Sequence, residues 1–146
     1  MRLDLYQTET ALIAQQQSAM LDEARDRLVA GYHLSRLEQN GVLHAIHLLV
    51  ENAVGKAKHL LKAHRQTVPL SAYDSFVGLV ELGLVAEQDL QAWNAAIGLR
   101  NKIVHDYMNI DIARVLELVR QGQHHFVVAF LLQPFSSPES GSSYPA

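Results

Sequence analysis

Residues 42–65 read VLHAIHLLVENAVGKAKHLLKAHR. Val42, Leu43, Ile46, Leu49, Val50, Ala53, Val54, Ala57, Leu60 and Leu61 recur at three- and four-residue spacing, the pattern of a helix with one apolar face. The pattern stops before Val68-Pro69, because the residue preceding a proline is pushed away from helical geometry. On its N-terminal side, Asn40-Gly41 reads as a break. Before that break the helix-forming stretch from Met20 to Leu37, with Leu21, Leu28, Tyr32 and Leu37 roughly in register, predicts another helix reaching back to about Thr10. On the C-terminal side, Ser71-Ala-Tyr-Asp74 has the form of a capping box with Asp in place of Glu. It opens a short helix carrying Phe76, Leu79 and Val80, with Gly83 as its stop. A fourth helix starts near Ala86-Glu87-Gln88-Asp89 and runs through Leu90, Trp93, Ile97 and Val104. Asn109 or Asp111 caps a fifth, which carries Ile112, Val115, Leu116, Val119, Phe126, Val127 and Phe130 up to Pro134. There is no internal repeat and no convincing alternation of the strand type. The short connections favour antiparallel neighbours, so the expectation is an all-α antiparallel bundle of about five helices over residues 1–133. The Ser-, Pro- and Gly-rich segment 134–146 reads as a disordered tail.

Composition agrees with one domain. The chain has 146 residues, 49% hydrophobic and 18% charged, enough apolar material for a core and too little charge for a disordered chain. The absence of cysteine excludes disulfides, thiolate metal sites and a cysteine nucleophile. Apolar runs are too short to span a membrane, and MRLDLYQTETALIAQQQ at the start has no signal-peptide core, so a cytoplasmic location is expected. The net charge of −3 excludes a protein that lives on non-specific attraction to nucleic acid. A local basic patch, Lys56, Lys58, His59, Lys62, His64 and Arg65, reads either as a nucleic-acid contact or as a solvated helix face.

The fourth helix holds the most unusual arrangement. At about 100° per residue, Trp93, Ile97, Arg100, Val104 and Tyr107 fall on one stripe, and Arg100 stands where an apolar residue is expected. A buried guanidinium needs an acceptor, and Glu51 or Glu81 is the expected partner. Asn94, Gly98, Asn101 and His105 form a second stripe. Arg100 and His105 are about 140° apart on an ideal helix. They meet one ligand only if the helix ends or loosens near His105, or if a partner subunit completes the cleft. The pairs His44/His47 and His124/His125 have no carboxylate at the spacing of a zinc motif, so no metal site is expected.

The stretch Arg100-Asn-Lys-Ile-Val-His105-Asp-Tyr107-Met-Asn-Ile-Asp111 resembles the R-x4-H-x-Y segment of the HepT toxins, members of the HEPN superfamily. Leu34-Ser-Arg-Leu-Glu38, the long helix with Glu51, Val68-Pro69 through Phe76, and Glu81-Leu-Gly83-Leu are similar to the same family in the same order. The resemblance spans about Arg25 to Leu132.

This resemblance implies a HEPN-like helical homodimer that cleaves RNA without a metal or other cofactor. Arg100 and His105 would be its catalytic residues; from their positions in the chain, Asn101, one turn before His105, and Glu51, as a partner for Arg100, would support them. It also implies a nucleotidyltransferase antitoxin that adds AMP to Tyr107. The side chains suit that chemistry, since imidazole transfers protons near neutrality and guanidinium grips phosphate. One histidine per chain supplies one proton-transfer group, which makes dimerisation part of the expected mechanism. Gly55 departs from the family pattern, standing where several relatives carry an acid. Two other readings of the same residues remain open: a non-catalytic dimer that binds a nucleotide or partner protein, and a structural dimer with a buried Arg–Glu pair.

Overall fold

A computed structural model describes residues 3–135 of the chain. Six α-helices follow one another with no strand among the described residues: α1 (Leu3–Val29), α2 (Arg36–Ala63), α3 (Ala72–Glu81), α4 (Leu90–His105), α5 (Ile112–Arg120) and α6 (His125–Leu132). Single 3₁₀ turns, Glu87–Asp89 and Tyr107–Asn109, precede and follow α4. Among the described residues no helix is long and apolar enough to cross a membrane.

The run that decides the sequence reading is the axis of the bundle. α2 touches α1, α3, α4, α5 and α6. Its apolar positions from Val42 to Leu61 are buried. Around it Phe76 of α3 stacks on Trp93 of α4 with ring centroids 4.1 Å apart, and Phe130 of α6 closes on both rings. Aromatic contacts of this kind add to area burial and fix the mutual register of three helices.

Three helix boundaries differ from the sequence reading: α1 starts at Leu3 rather than at about Thr10, and two breaks fall elsewhere. The break expected at Asn40-Gly41 lies instead between Val29 and Arg36, and α2 runs through both residues. Gly31, at φ +90°, ends α1. Ser35 and Glu38 then form a reciprocal capping box, Glu38 N–H donating to Ser35 Oγ at 3.1 Å and Ser35 N–H donating to Glu38 Oε1 at 2.8 Å. Tyr32 and Leu37, assigned to the apolar face of the first helix, are consequently exposed. The expected fifth helix is two, because Gly122 at φ +74° terminates α5. The tertiary bend this makes lets α6 fold back against α1 and α2.

A common device ends α1, α2, α3 and α5. After each helix one residue turns left-handed while two backbone N–H groups reach back to the last turn, as in Gln123 N–H to Leu118 O at 3.0 Å and Gly122 N–H to Val119 O at 2.9 Å. Glycine occupies that position at 31, 83 and 122; after α2 it is Arg65, at φ 60°.

The basic patch does not survive as drawn. Lys56 is only 1% exposed, and its Nζ donates to the carbonyls of Phe130, Leu131 and Gln133 at 2.8, 3.4 and 2.5 Å. It caps the C-terminus of α6, where unpaired carbonyls would otherwise be buried. Burial pulls its pKa down to about 8. Packing also extends past Pro134: Phe135, expected in the tail, meets Tyr6 edge-on at 5.5 Å. Residues 136–146 of that tail lie outside the described residues. Gly55 admits the same tyrosine, since a Cβ there would stand 3.1 Å from Tyr6 Oη.

Candidate functional site

α4 begins in the core and ends in the open. Trp93 and Ile97 are buried, whereas Val104 and Tyr107, expected on the same buried stripe, are each nearly half exposed. Ile103 in the last turn of α4 still packs against the core, but the stripe carrying Val104 and Tyr107 leaves it there. Arg100 stands at the transition, with its side chain 17% exposed. Its Nη1 lies 3.5 Å from Glu51 Oε2, and its Nε is buried with no hydrogen-bond partner. Glu51 is therefore the partner and Glu81 is not. The burial expected for that pair holds only on the arginine side, for Glu51 is 53% exposed.

The helix stops at His105, one of the two conditions under which Arg100 and His105 could meet one ligand. Asp106 N–H still donates to Lys102 O at 2.8 Å, but Asp106 itself lies at φ −146°, ψ 45°, outside helical geometry. The following 3₁₀ turn is tied by Asn109 Nδ2 donating to Asp106 Oδ1 at 2.7 Å. Asp111, rather than Asn109, caps α5 by accepting from Arg114 N–H at 3.2 Å. His105 and Asn101 are both exposed. Tyr107 presents its ring at the surface, and its hydroxyl donates to Asn40 Oδ1 of α2.

The fold adds two residues that the sequence reading did not assign to this place. Asn40 meets Tyr107, and His47 Nε2 lies 3.7 Å from Glu51 Oε2. With His44 they make the polar series Asn40, His44, His47, Glu51, whose steps of four, three and four residues set one face of α2. That spacing was visible, but its meaning depends on α4 lying alongside. Next to this polar strip, between α2, α4 and α5, is an apolar cleft of about 370 Å³ lined by Leu49, Ala92, Ala96, Leu99, Ile110 and Val115 among others.

The arrangement is a helical bundle with an arginine, a histidine and a tyrosine at the open end of α4, faced by acid and amide groups of α2. The sequence profile of the Ribonuclease HepT-like family matches residues 14–129, most of the chain, and the protein belongs to that family. It is similar to the mRNA nuclease HepT of Shewanella oneidensis, with 29% identity over 87 residues that make up 60% of this chain and 63% of that protein. The chain thus matches a little under two thirds of that relative's length. Its fold is shared with a chain in the crystal structure of a toxin-antitoxin with AMP-PNP, at TM-score 0.62 and 20% identity, covering 82% of this chain and 97% of the other.

Proposed function

We propose that this chain is the toxin of a toxin–antitoxin pair and cleaves RNA as a homodimer without a metal. The observation that carries the proposal is Arg100: a nearly buried guanidinium with a free Nε and one loose, half-exposed acid partner, placed one and a half turns before the end of the helix that delivers His105. A cation so weakly satisfied is ready for a phosphate, which it can grip through its planar fork of donors.

In the proposed reaction the RNA 2′-oxygen attacks the neighbouring phosphorus. A base removes the 2′ proton, the bond from phosphorus to the 5′-oxygen breaks, and an acid protonates the departing 5′-oxygen. The products are a 2′,3′-cyclic phosphate and a 5′-hydroxyl. Arg100 stabilises the crowded phosphate, and His105 takes one of the two proton-transfer roles. The His105 of a second copy takes the other, which explains why a chain with one such histidine works as a dimer. The apolar cleft beside the polar strip of α2, together with Met108 at 91% exposure, supports a second copy packing on this face. The exposed His105, Asn101 and Met108 at the rim of the site leave room for RNA.

The partner in this proposal is a nucleotidyltransferase antitoxin. It moves the adenylyl group of ATP onto the Tyr107 phenolic oxygen, releasing pyrophosphate and the phenolic proton. Tyr107 is accessible and gives up only its hydrogen bond to Asn40. The added anion beside Arg100 then blocks RNA by charge and volume.

The test is cleavage of RNA by the purified protein in excess EDTA, with end analysis. Cyclic phosphate ends from the wild type, and loss of cleavage at unchanged helicity in His105→Ala, are expected. Full cleavage by His105→Ala, or none by the wild type while nucleotide still binds, sinks the catalytic reading and leaves a binding module.

A further inference from the structure

α1 and α6 meet at a cluster that has no part in the proposed cleavage. Asp22 of α1 faces His124 and His125, the N-cap and first residue of α6, across 102 positions of sequence. Both Nε2 atoms converge on the same carboxylate oxygen, Asp22 Oδ1, at 2.8 Å for His124 and 2.9 Å for His125. One potential ligand atom from each residue lies within 4.8 Å of the other two. The two imidazole rings sit 4.2 Å apart and are tilted by 56°. From sequence the pair carries no metal expectation, because no carboxylate stands at the spacing of a zinc motif. The fold brings the carboxylate from α1, where the spacing within α6 offers none.

We propose that Asp22, His124 and His125 form a zinc site that clasps α1 to α6. Two imidazole nitrogens and one carboxylate oxygen are a ligand set suited to Zn²⁺, with water completing a tetrahedron. The present N···O distances are those of hydrogen bonds. Zinc with bonds of about 2.0–2.1 Å would hold its ligand atoms roughly 3.3 Å apart, so Asp22 Oδ1 would draw back from the two nitrogens by about 0.4–0.5 Å. The ion would replace the two N–H protons, leaving each histidine a neutral ligand. Ser18 Oγ, 3.4 Å from Asp22 Oδ2, steadies the carboxylate from outside. His124 Nδ1 has no partner, and Arg25 stands close enough to weigh against positive charge. The site therefore binds less tightly than a structural zinc centre with a full outer shell.

His125 and Asp22 are half exposed, so ions reach the cluster from solvent. Zinc bound only to the folded chain stabilises it by mass action.

The experiment uses tag-free protein freed of metal by a chelator that is then removed. Zinc is titrated by calorimetry and by thermal unfolding, and cobalt(II) is added separately to read coordination from its visible absorption. One equivalent of zinc, a Tm rise of about 3 °C or more at excess zinc, and tetrahedral cobalt bands are expected. Asp22→Asn and His125→Ala should keep their helicity and each weaken zinc binding at least tenfold. No binding up to millimolar zinc, or unchanged binding in both variants, overturns the site. Because the readouts are metal binding and stability, they stand apart from RNA cleavage and fail or succeed independently of it.

Discussion

Replacing Arg100 by methionine separates what the guanidinium does for the fold from what it does for the reaction. Methionine keeps the buried aliphatic stem and removes only the charged head. The structural loss is one contact, 3.5 Å from an acid that is 53% exposed. Loose pairs with a solvated partner contribute about 0.2–1 kcal/mol. Against this, the substitution removes a buried Nε that has no acceptor, a feature that itself costs stability. The two effects are of similar size and opposite sign, so the expected change is within about 1 kcal/mol, a Tm shift of no more than about 2–4 °C. If Arg100 holds the reacting phosphate, losing one such donor costs on the order of 10²–10³ in rate. Single-turnover cleavage of a short labelled RNA, paired with thermal unfolding of the same samples, reads both quantities. Cleavage within threefold of wild type would refute the assignment. So would a stability loss above about 3 kcal/mol, since the guanidinium would then be structural and any rate loss would follow unfolding.

Arg65, left-handed at φ 60° after α2, should be better served by glycine. Arg65→Gly is expected to stabilise the chain by about 0.5–1 kcal/mol in denaturant titration, and a loss of stability would mean the arginine side chain is holding that turn. Lys56 releases its proton near pH 8 in the folded chain and near its ordinary 10.5 when unfolded. Between those values the unfolded state binds more protons, so stability rises with pH. The advantage of wild type over Lys56→Met should therefore grow on the order of 1–3 kcal/mol from pH 8 to pH 10.5 in urea unfolding, and a constant difference contradicts the burial argument. If each site needs two chains, specific cleavage activity should fall on dilution in step with dimer dissociation followed by sedimentation. Activity that stays constant while the dimer separates would place both proton transfers within one chain.

What could be read in advance, and what could not, divides along physical lines. α2 was legible because its pattern reports burial against neighbours on nearly every side, and no alternative conformation hides that many apolar positions at helical spacing. The ends of helices were less legible. Asn40-Gly41 looks like a turn, but a glycine inside a well-packed helix costs only about 1 kcal/mol, and the packing of Val42 and Leu43 outweighs it. The real boundary was written at Gly31 and in the Ser35–Glu38 box, a signal present in the sequence and overlooked. Gly122 was the same kind of omission within an apolar run that continues on both sides of it.

The candidate site divides in the same way. Arg100 stood out because a charged residue on an apolar stripe is anomalous within its own helix. Glu51 followed as an acid on the neighbouring helix, and only its exposure was misjudged. Asn40 and His47 are anomalous in no local sense, since polar residues on one side of a helix are the ordinary solvent face. They acquire meaning only when α4 ends beside them. The Asp22 cluster is the extreme case: its histidines lie 102 and 103 positions along the chain from the acid, and each alone is unremarkable. Local rules detect a residue that conflicts with its own element, whereas a cluster assembled from residues that each fit their elements leaves no local conflict to detect. The polar strip on α2 is of the second kind, and it lies against both the end of α4 and the open apolar cleft. A conflict does appear there at the level of the whole chain: an underpaired cation, a half-covered acid and exposed apolar side chains lie together on one face. A ligand phosphate and a second copy of the chain would relieve all three.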